Sequence, residues 1–141
     1  MFAREVVVPV RFLASAGQLL GTISVYLDPE PHILAGLPTR YSLSHYHDAH
    51  ADFTRVLVLS MAGLLLELGS LLAGFSFFSD YANNWHCLLH GAGCVAVTAF
   101  SIFSANFGYF WQIFCVAGAL PLLLEAASLY VTFGMRRVAY S

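Results

Sequence analysis

The sequence contains no lysine and few charged residues of any kind. Its 141 residues include six basic residues, all arginine, and eight acidic ones, so only 10% of the chain is charged while 59% is hydrophobic. A soluble domain carries about 25% charged residues. The formal net charge of −2 also provides no basic surface for nucleic acid. The composition therefore argues against a soluble enzyme or a nucleic-acid-binding protein, and it predicts an integral membrane protein.

Cysteine is scarce and catalytic motifs are absent. Cys87, Cys94 and Cys115 lie in apolar stretches and form no CxxC pair, which predicts apolar space-filling rather than metal binding or redox work. No Ser-His-Asp arrangement, glycine-rich phosphate loop or paired-carboxylate motif stands out. The sequence therefore predicts no enzymatic activity, no cofactor and no small-molecule substrate.

Four apolar stretches are long enough to cross a bilayer, whose core of about 30 Å needs roughly 20 helical residues. They cover residues 6–27, 53–78, 85–104 and 107–134. A loop over 28–52 separates the first two stretches, the later connections are tight turns, and a short tail covers 135–141. Tight turns place consecutive helices antiparallel. The prediction is a single four-span membrane domain over 1–141, an all-α integral membrane protein built as an antiparallel four-helix transmembrane bundle.

The arginines predict the orientation of this bundle. With four spans, both chain ends share one side of the membrane, which then carries Arg4, Arg136 and Arg137. The other side carries Arg40 and, at the membrane edge, Arg55. Because cytoplasmic segments hold the excess of basic residues, both termini are predicted to be cytoplasmic.

Small residues predict close helix packing in the first two spans. Gly17 and Gly21 form a GxxxG pair, and Ser70 and Gly74 form a small-xxx-small pair. This spacing lets two helix backbones approach each other. We interpret it as packing within the bundle, with an oligomer interface as the alternative. Pro121 is predicted to bend the fourth span and to free a backbone carbonyl.

A histidine-rich segment precedes the second span. His45, His47 and His50, with Asp48 and Asp52, are residue types that bind zinc or copper. Only His47 with His50, and Asp48 with Asp52, have the i, i+3 or i+4 spacing that puts helical side chains on one face, and no HExxH framework is present. We interpret the segment as solvated and predict no metal ligands. A pH-sensing role is the open alternative.

Four ionisable residues stand out inside the predicted spans. They are Arg11, Glu67, His90 and Glu125. Charged groups cost at least about 2.5–3.5 kcal/mol near mid-span, so they usually face the bundle and bind partners. Counted from one membrane surface, the four positions lie at similar depth, which predicts a structural polar layer with Arg11 paired to Glu125 and Glu67 to His90. The alternative is a small proton-coupled carrier or channel component that uses Glu67, Glu125 and His90.

Motifs along practically the whole chain resemble the transmembrane protein 107 family. The first span carries Val8-Pro9-Val10-Arg11-Phe12-Leu13, close to the family's V-P-x-R-F-L opening. The other matching positions are Leu37-Pro38, Tyr46, Glu67, Gly74-Phe75-Ser76, His90, Ala119-Leu120-Pro121, Glu125 and Phe133-Gly134. They fall in the family's order and at near-equal spacing, while the loop histidines have no counterpart in the family pattern.

This resemblance implies a non-enzymatic role at the ciliary transition zone. Proteins of this kind belong to the Meckel–Joubert syndrome protein module at the base of the cilium. There they recruit or hold other membrane proteins, including tectonics and related small multispan proteins, and so support ciliogenesis and the gating of ciliary membrane composition. The implied surroundings are membrane lipid and these transition-zone proteins.

Overall fold

The computed structural model describes residues 2–77 and 79–135, and the regular structure of these residues is entirely helical. Its four helices that are long and apolar enough to cross a membrane are Glu5–Leu27, Leu43–Leu72, Asp80–Ile102 and Phe107–Gly134. They confirm the all-α, four-span membrane architecture that the sequence predicts. The predicted end of the second span at Phe78 and the arginine pair Arg136–Arg137 lie outside the described residues.

Helix α1 (Phe2–Leu27) packs mainly against helix α4 (Asp80–Ile102) and also against helix α3 (Leu43–Leu72). Gly17 and Gly21 lie against side chains of α4. A Cβ atom at Gly17 would lie 2.9 Å from Cys94 Sγ, and one at Gly21 would lie 2.9 Å from Val97 Cγ1. The GxxxG pair therefore packs within the bundle, against α4.

The predicted loop over 28–52 is largely helical, which corrects the sequence interpretation. Helix α2 covers Glu30–Gly36, with Pro31 in its first turn, where the missing amide hydrogen costs nothing. Helix α3 then begins at Leu43 rather than at residue 53. The Ser42 hydroxyl accepts a hydrogen bond from the backbone N–H of His45 at 3.3 Å and caps the helix. The apolar run placed the start of this helix ten residues too late, because the helix continues through polar sequence as far as its cap at Ser42.

The end of α3 also differs from the prediction, because the helix stops at Leu72. Gly74 adopts the left-handed conformation with φ +79°, so it is not part of a packing face of the second span. The Gly74 N–H bonds the Leu71 carbonyl at 3.1 Å, and the Phe75 N–H bonds the Ser70 carbonyl at 3.1 Å. These are the two bonds of a Schellman ending. The family-like Gly74-Phe75-Ser76 segment is therefore a helix stop.

Helix α4 begins at Asp80, ahead of the predicted Trp85. The Ser79 hydroxyl accepts a hydrogen bond from the Ala82 N–H at 3.2 Å, and Asp80 supplies a negative charge in the first turn. Both features stabilise a helix N-terminus. The extra turn brings Asn83 into the helix, where its side chain is buried.

The fourth span is irregular around Pro121. It comprises a 3₁₀ turn (Phe107–Tyr109), α5 (Phe110–Phe114), a π-helical turn (Cys115–Ala119), α6 (Leu120–Leu129) and a second π-helical turn (Tyr130–Gly134). Pro121 has no N–H to donate to the Ala117 carbonyl one α-helical turn earlier. The Gln18 side chain donates to that carbonyl instead, at 2.9 Å.

Aromatic rings fill the end of the bundle beside α2. We call His32, Phe53, Phe100, Phe107 and Phe110 the aromatic cluster. The His32 ring stacks on Phe100 at a centroid distance of 4.3 Å, and Phe100 meets Phe110 edge to face at 5.2 Å. His32 Nδ1 also lies 2.9 Å from the Ala105 carbonyl oxygen and donates a hydrogen bond to it. These contacts hold α2 onto the end of the bundle.

Candidate functional site

The four ionisable side chains singled out in the spans meet in one buried group at the opposite end of the bundle. We call this group the polar cluster. Its members are Arg11, Gln18, Glu67, Ser70, Ser76, Asn83, His86, His90 and Glu125. None of its ionisable residues is more than 4% exposed. Since burial of such groups is costly without partners, the contacts among them decide what the cluster can do.

Glu125 is the most heavily bonded member. Its Oε2 accepts a hydrogen bond from the Arg11 guanidinium at 3.0 Å, while its Oε1 accepts from the hydroxyls of Ser70 and Ser76. A second guanidinium nitrogen of Arg11 donates to Asn83 Oδ1 at 2.6 Å, and the Asn83 amide donates to the Ser76 carbonyl at 3.1 Å. This half of the cluster joins α1, α3, α4 and α6, so its hydrogen bonds fix the relative positions of all four spans.

Glu67 and His90 form the second half of the cluster. Glu67 Oε2 lies 2.5 Å from His90 Nε2, which links α3 to α4. On the other side of the ring, His90 Nδ1 lies 2.8 Å from Gln18 Oε1. Gln18 in turn donates to the Ala117 carbonyl. The chain of contacts therefore runs from α3 through α4 and α1 to the π-helical turn of the fourth span.

His86 joins the two halves, and sequence reasoning missed it. Its Nδ1 lies 3.6 Å from Glu67 Oε2, and its Nε2 lies 3.3 Å from Glu125 Oε2. Its ring is nearly parallel to that of His90, with an interplanar angle of 20° and centroids 5.7 Å apart. The spacing of His86 and His90, four residues apart on one helix, is the signal that could have found it. Asn83, Gln18 and Ser76 carry no comparable signal because uncharged polar residues are common in spans.

The loop histidines take no part in this cluster. His45, His47 and His50 lie on the first turns of α3 and are exposed. The Tyr46 ring lies 6.0 Å from the His47 ring and 6.3 Å from the His50 ring. Within residues 2–77 and 79–135, the group of metal-ligand side chains that converges is instead Glu67, His86 and His90.

The contacts of the polar cluster constrain how the four spans pack. Every charged side chain in it contacts a residue on another helix, and each contact depends on a particular register of the spans. Apolar side chains supply little such specificity in a membrane, since lipid tails are equally apolar. The cluster therefore ties helices of all four spans together.

Comparisons with known proteins agree on a family. A family model described as TMEM107, transmembrane protein, matches residues 7–129, a range that contains the whole polar cluster. The chain is 26% identical to rat Transmembrane protein 107 over 130 residues, covering 92% of this chain and 93% of that protein. It is 26% identical to the zebrafish protein over 125 residues (89% and 93%) and 25% identical to the human protein over 130 residues (92% and 93%). No solved structure matches the chain.

Proposed function

Because the chain belongs to the transmembrane protein 107 family, we propose that it is a non-enzymatic structural and interaction protein of the ciliary transition zone. There it organises other membrane proteins of the Meckel–Joubert syndrome module and supports ciliogenesis and ciliary gating. Tectonics and related small multispan proteins are the proposed partners. The description of the family and the names of its relatives refer to a membrane protein and to no enzymatic activity.

The observation that carries this proposal is the polar cluster, which is buried and bonded within the bundle. Its ionisable residues are at most 4% exposed and bond to other helices, which fits a scaffold that holds one shape. The outer surface is apolar by contrast, with Leu65, Leu66 and Leu72 of α3 58–74% exposed. A rigid bundle with an apolar exterior recognises other membrane proteins through its span surfaces, because shape and small-residue packing drive helix association in lipid.

Localisation in a ciliated cell tests the proposal. A tagged full-length protein is expected at the base of the cilium, as a ring or spot. A Glu125→Leu variant is expected to lose abundance or position, because it leaves Arg11 buried without its carboxylate. Glu5→Gln is the matched control, since Glu5 is exposed. A diffuse plasma-membrane or organelle signal for the wild-type protein would overturn the proposal.

The orientation proposed with this function places both termini in the cytoplasm. The basis is the distribution of arginines between the two sides, with Arg40 and Arg55 on the far side together with α2. An epitope after Ser141 is expected to be inaccessible in intact cells and accessible after permeabilisation. Labelling without permeabilisation would reverse the orientation.

A second candidate function rests on the line of titratable groups from Glu125 through His86 to Glu67 and His90, with separations of 3.3, 3.6 and 2.5 Å. Such a line is typical of proton paths in membranes. Protein reconstituted in liposomes with an internal pH-sensitive dye separates the two functions. A scaffold gives no proton flux above empty liposomes, whereas a carrier or channel gives flux that Glu67→Gln abolishes.

A further inference from the structure

The orientation of the Gln18 amide fixes the proton positions on His90. The Ala117 carbonyl receives no hydrogen bond from Pro121, because proline has no N–H. The amide nitrogen of Gln18 must therefore face this carbonyl, 2.9 Å away, because only the nitrogen of the amide can donate. Gln18 Oε1 is then the atom that faces His90 Nδ1 at 2.8 Å. An amide oxygen only accepts hydrogen bonds. His90 Nδ1 therefore carries a hydrogen.

With Nδ1 protonated, a neutral His90 ring presents the lone pair of Nε2 to Glu67. Glu67 Oε2 lies only 2.5 Å from that nitrogen. A carboxylate oxygen and an imidazole lone pair repel each other, so either a proton lies between them or a metal ion binds beside them. Glu125 has Arg11 as its own counter-ion at 3.0 Å, which leaves Glu67 as the carboxylate that needs positive charge. Two sources of that charge exist: a proton shared among Glu67 and the histidines, or a metal ion.

His86 adds unused ligand capacity at the same place. Its side chain is fully buried, yet neither ring nitrogen makes a hydrogen bond with any described residue, and Glu67 Oε1 also lacks a partner there. Buried polar groups are nearly always bonded. These orphaned atoms lie next to the His90–Glu67 contact, since His86 Nδ1 is 3.6 Å from Glu67 Oε2.

These atoms form a ligand set for a transition metal. One nitrogen from each of His86 and His90 and one oxygen from Glu67 all lie within 4.8 Å of one another. Zinc binds histidine nitrogens and carboxylate oxygens at about 2.0–2.2 Å, and two histidines with one glutamate are a known zinc ligand set. Calcium and magnesium prefer oxygen ligands. We propose that Glu67, His86 and His90 bind a divalent transition-metal ion, with zinc as the best fit, and that the ion links α3 to α4.

The surroundings of His90 support this assignment. Histidines that bind a metal almost always donate their other ring N–H to a fixed acceptor, which orients the ring. Gln18 Oε1 is that acceptor here. For His86, Nδ1 is the nitrogen near Glu67, and Glu125 Oε2 lies 3.3 Å from the other ring nitrogen, Nε2, where it can orient the ring. This site is independent of the proposed ciliary role, so either proposal can fail without the other.

The test uses the purified full-length protein in detergent micelles. The protein is treated with EDTA, incubated with zinc sulfate, desalted and analysed for metal by mass spectrometry. The wild-type protein is expected to retain about one zinc ion per chain and to show a higher Tm with zinc, because an ion that binds the folded state stabilises it. Zinc at background level with an unchanged Tm would mean that protons alone supply the charge, and it would overturn the proposal.

X-ray absorption of the zinc-loaded wild-type protein identifies the ligands without any variant. Two imidazole nitrogens with carboxylate oxygen are expected. A shell of three imidazoles would assign the ion to His45, His47 and His50, and oxygen alone would assign it to carboxylates elsewhere. Either of these results would overturn the proposal even if zinc binds.

Variants then test the individual residues. His86→Ala and Glu67→Gln are expected to abolish zinc retention, while the triple variant His45→Ala, His47→Ala, His50→Ala keeps it. Gln18→Leu is expected to weaken zinc affinity about 10–100-fold, the usual effect of losing a group that orients a ligand. Circular dichroism and gel filtration establish that each variant is folded. Zinc retained by a folded His86→Ala protein, or lost from the triple variant, would contradict the assignment.

Discussion

At one end of the bundle, Phe53, Phe100 and Phe110 pack ring against ring at centroid distances of 5.2–6.1 Å. At the other end, Arg11 and Glu125 lie 3.0 Å apart among hydroxyls, amides and imidazoles. Both clusters use α3, α4 and the fourth span, but their contacts have different physical requirements. Aromatic packing requires complementary shape, and a misplaced ring loses only part of its contact. A charged group in the polar cluster requires a particular partner atom at hydrogen-bonding distance.

The difference shows how a small membrane bundle obtains a unique register. Lipid competes with apolar side chains for apolar surface, so rings alone discriminate weakly among helix arrangements. A buried guanidinium or carboxylate discriminates strongly, because a shift of one helix leaves it unpaired at a cost of several kcal/mol. The aromatic cluster instead positions α2, a short helix outside the four spans. Register thus depends on the polar end, and attachment of α2 depends on the aromatic end.

The largest expected effect comes from breaking the Arg11–Glu125 pair. Arg11→Met leaves a buried carboxylate without its cation, and we expect the free energy of unfolding to fall by about 3–5 kcal/mol. Glu125→Leu should cost a similar amount. The double variant should be clearly more stable than the sum of the two single effects predicts, because no charge is left unpaired. Unfolding by SDS added to mixed micelles measures the free energy of unfolding of the two single variants and the double variant.

The control for this cycle is the exposed residue Glu5. Glu5→Gln combined with Arg11→Met should give only the sum of the separate effects. Strict additivity of the Arg11 and Glu125 substitutions would show that the pair is not an interacting unit, and the contrast between the two ends would then disappear.

The sequence predicted four of the five ionisable residues of the polar cluster, but not His86 or most of the uncharged members. Arg11, Glu67, His90 and Glu125 stand out because ionisable groups are rare in apolar spans. Asn83 bonds to Arg11, Ser76 bonds to Glu125, and the two also bond to each other. Both lie in helix-end segments that resemble ordinary connections in the sequence. Their roles depend on where α3 stops and α4 starts, and an apolar count does not locate those points.

The helix boundaries were also predicted only in part from the sequence. The apolar stretches gave four spans in the correct order, because bilayer thickness sets their minimum length. They did not reveal α2 or the first turns of α3, since these are stabilised by local capping at Ser42 and by packing of His32 and Phe53. Such features act outside the apolar core of the membrane, where periodic polar sequence and turn residues matter more than hydropathy.

A smaller effect is expected from adding a methyl group at Gly93, which packs tightly against Gln18 of the polar cluster. A Cβ atom at Gly93 would lie 2.5 Å from Gln18 Oε1 and 2.8 Å from Ala117 Cβ. Gly93→Ala should therefore displace the Gln18 amide and cost about 1–3 kcal/mol. Gly91→Ala, on the same helix, is the matched control because its Cβ would meet no atom within 4 Å. It should stabilise the helix by about 0.5–1 kcal/mol. Equal effects of the two substitutions would contradict the tight packing around Gln18.

The helix stop at Gly74 should matter somewhat less. Its φ of +79° is unfavourable for a residue with a Cβ atom, so Gly74→Ala should cost about 1–2 kcal/mol. Part of this cost should come from a weaker hydrogen bond between the Ser76 hydroxyl and Glu125, because Ser76 lies in the turn that begins at Gly74. Gly69→Ala is the control, since Gly69 is helical and has open space. In SDS unfolding, a Gly74→Ala protein as stable as the Gly69→Ala protein would show that the turn is not needed to organise the polar end.

The smallest expected quantity is the coupling between the two ends. Phe53→Leu should cost about 1–2 kcal/mol through lost ring contacts, well below the cost of Arg11→Met. Among the described residues the two share no hydrogen-bond or ring partner, since Phe53 contacts rings of the aromatic cluster and Arg11 bonds to Asn83 and Glu125. Their effects in the double variant should therefore add to within about 0.5 kcal/mol. A larger coupling, measured by the same SDS unfolding, would mean that register at the polar end depends on ring packing at the other, and the bundle would have to be treated as one cooperative unit.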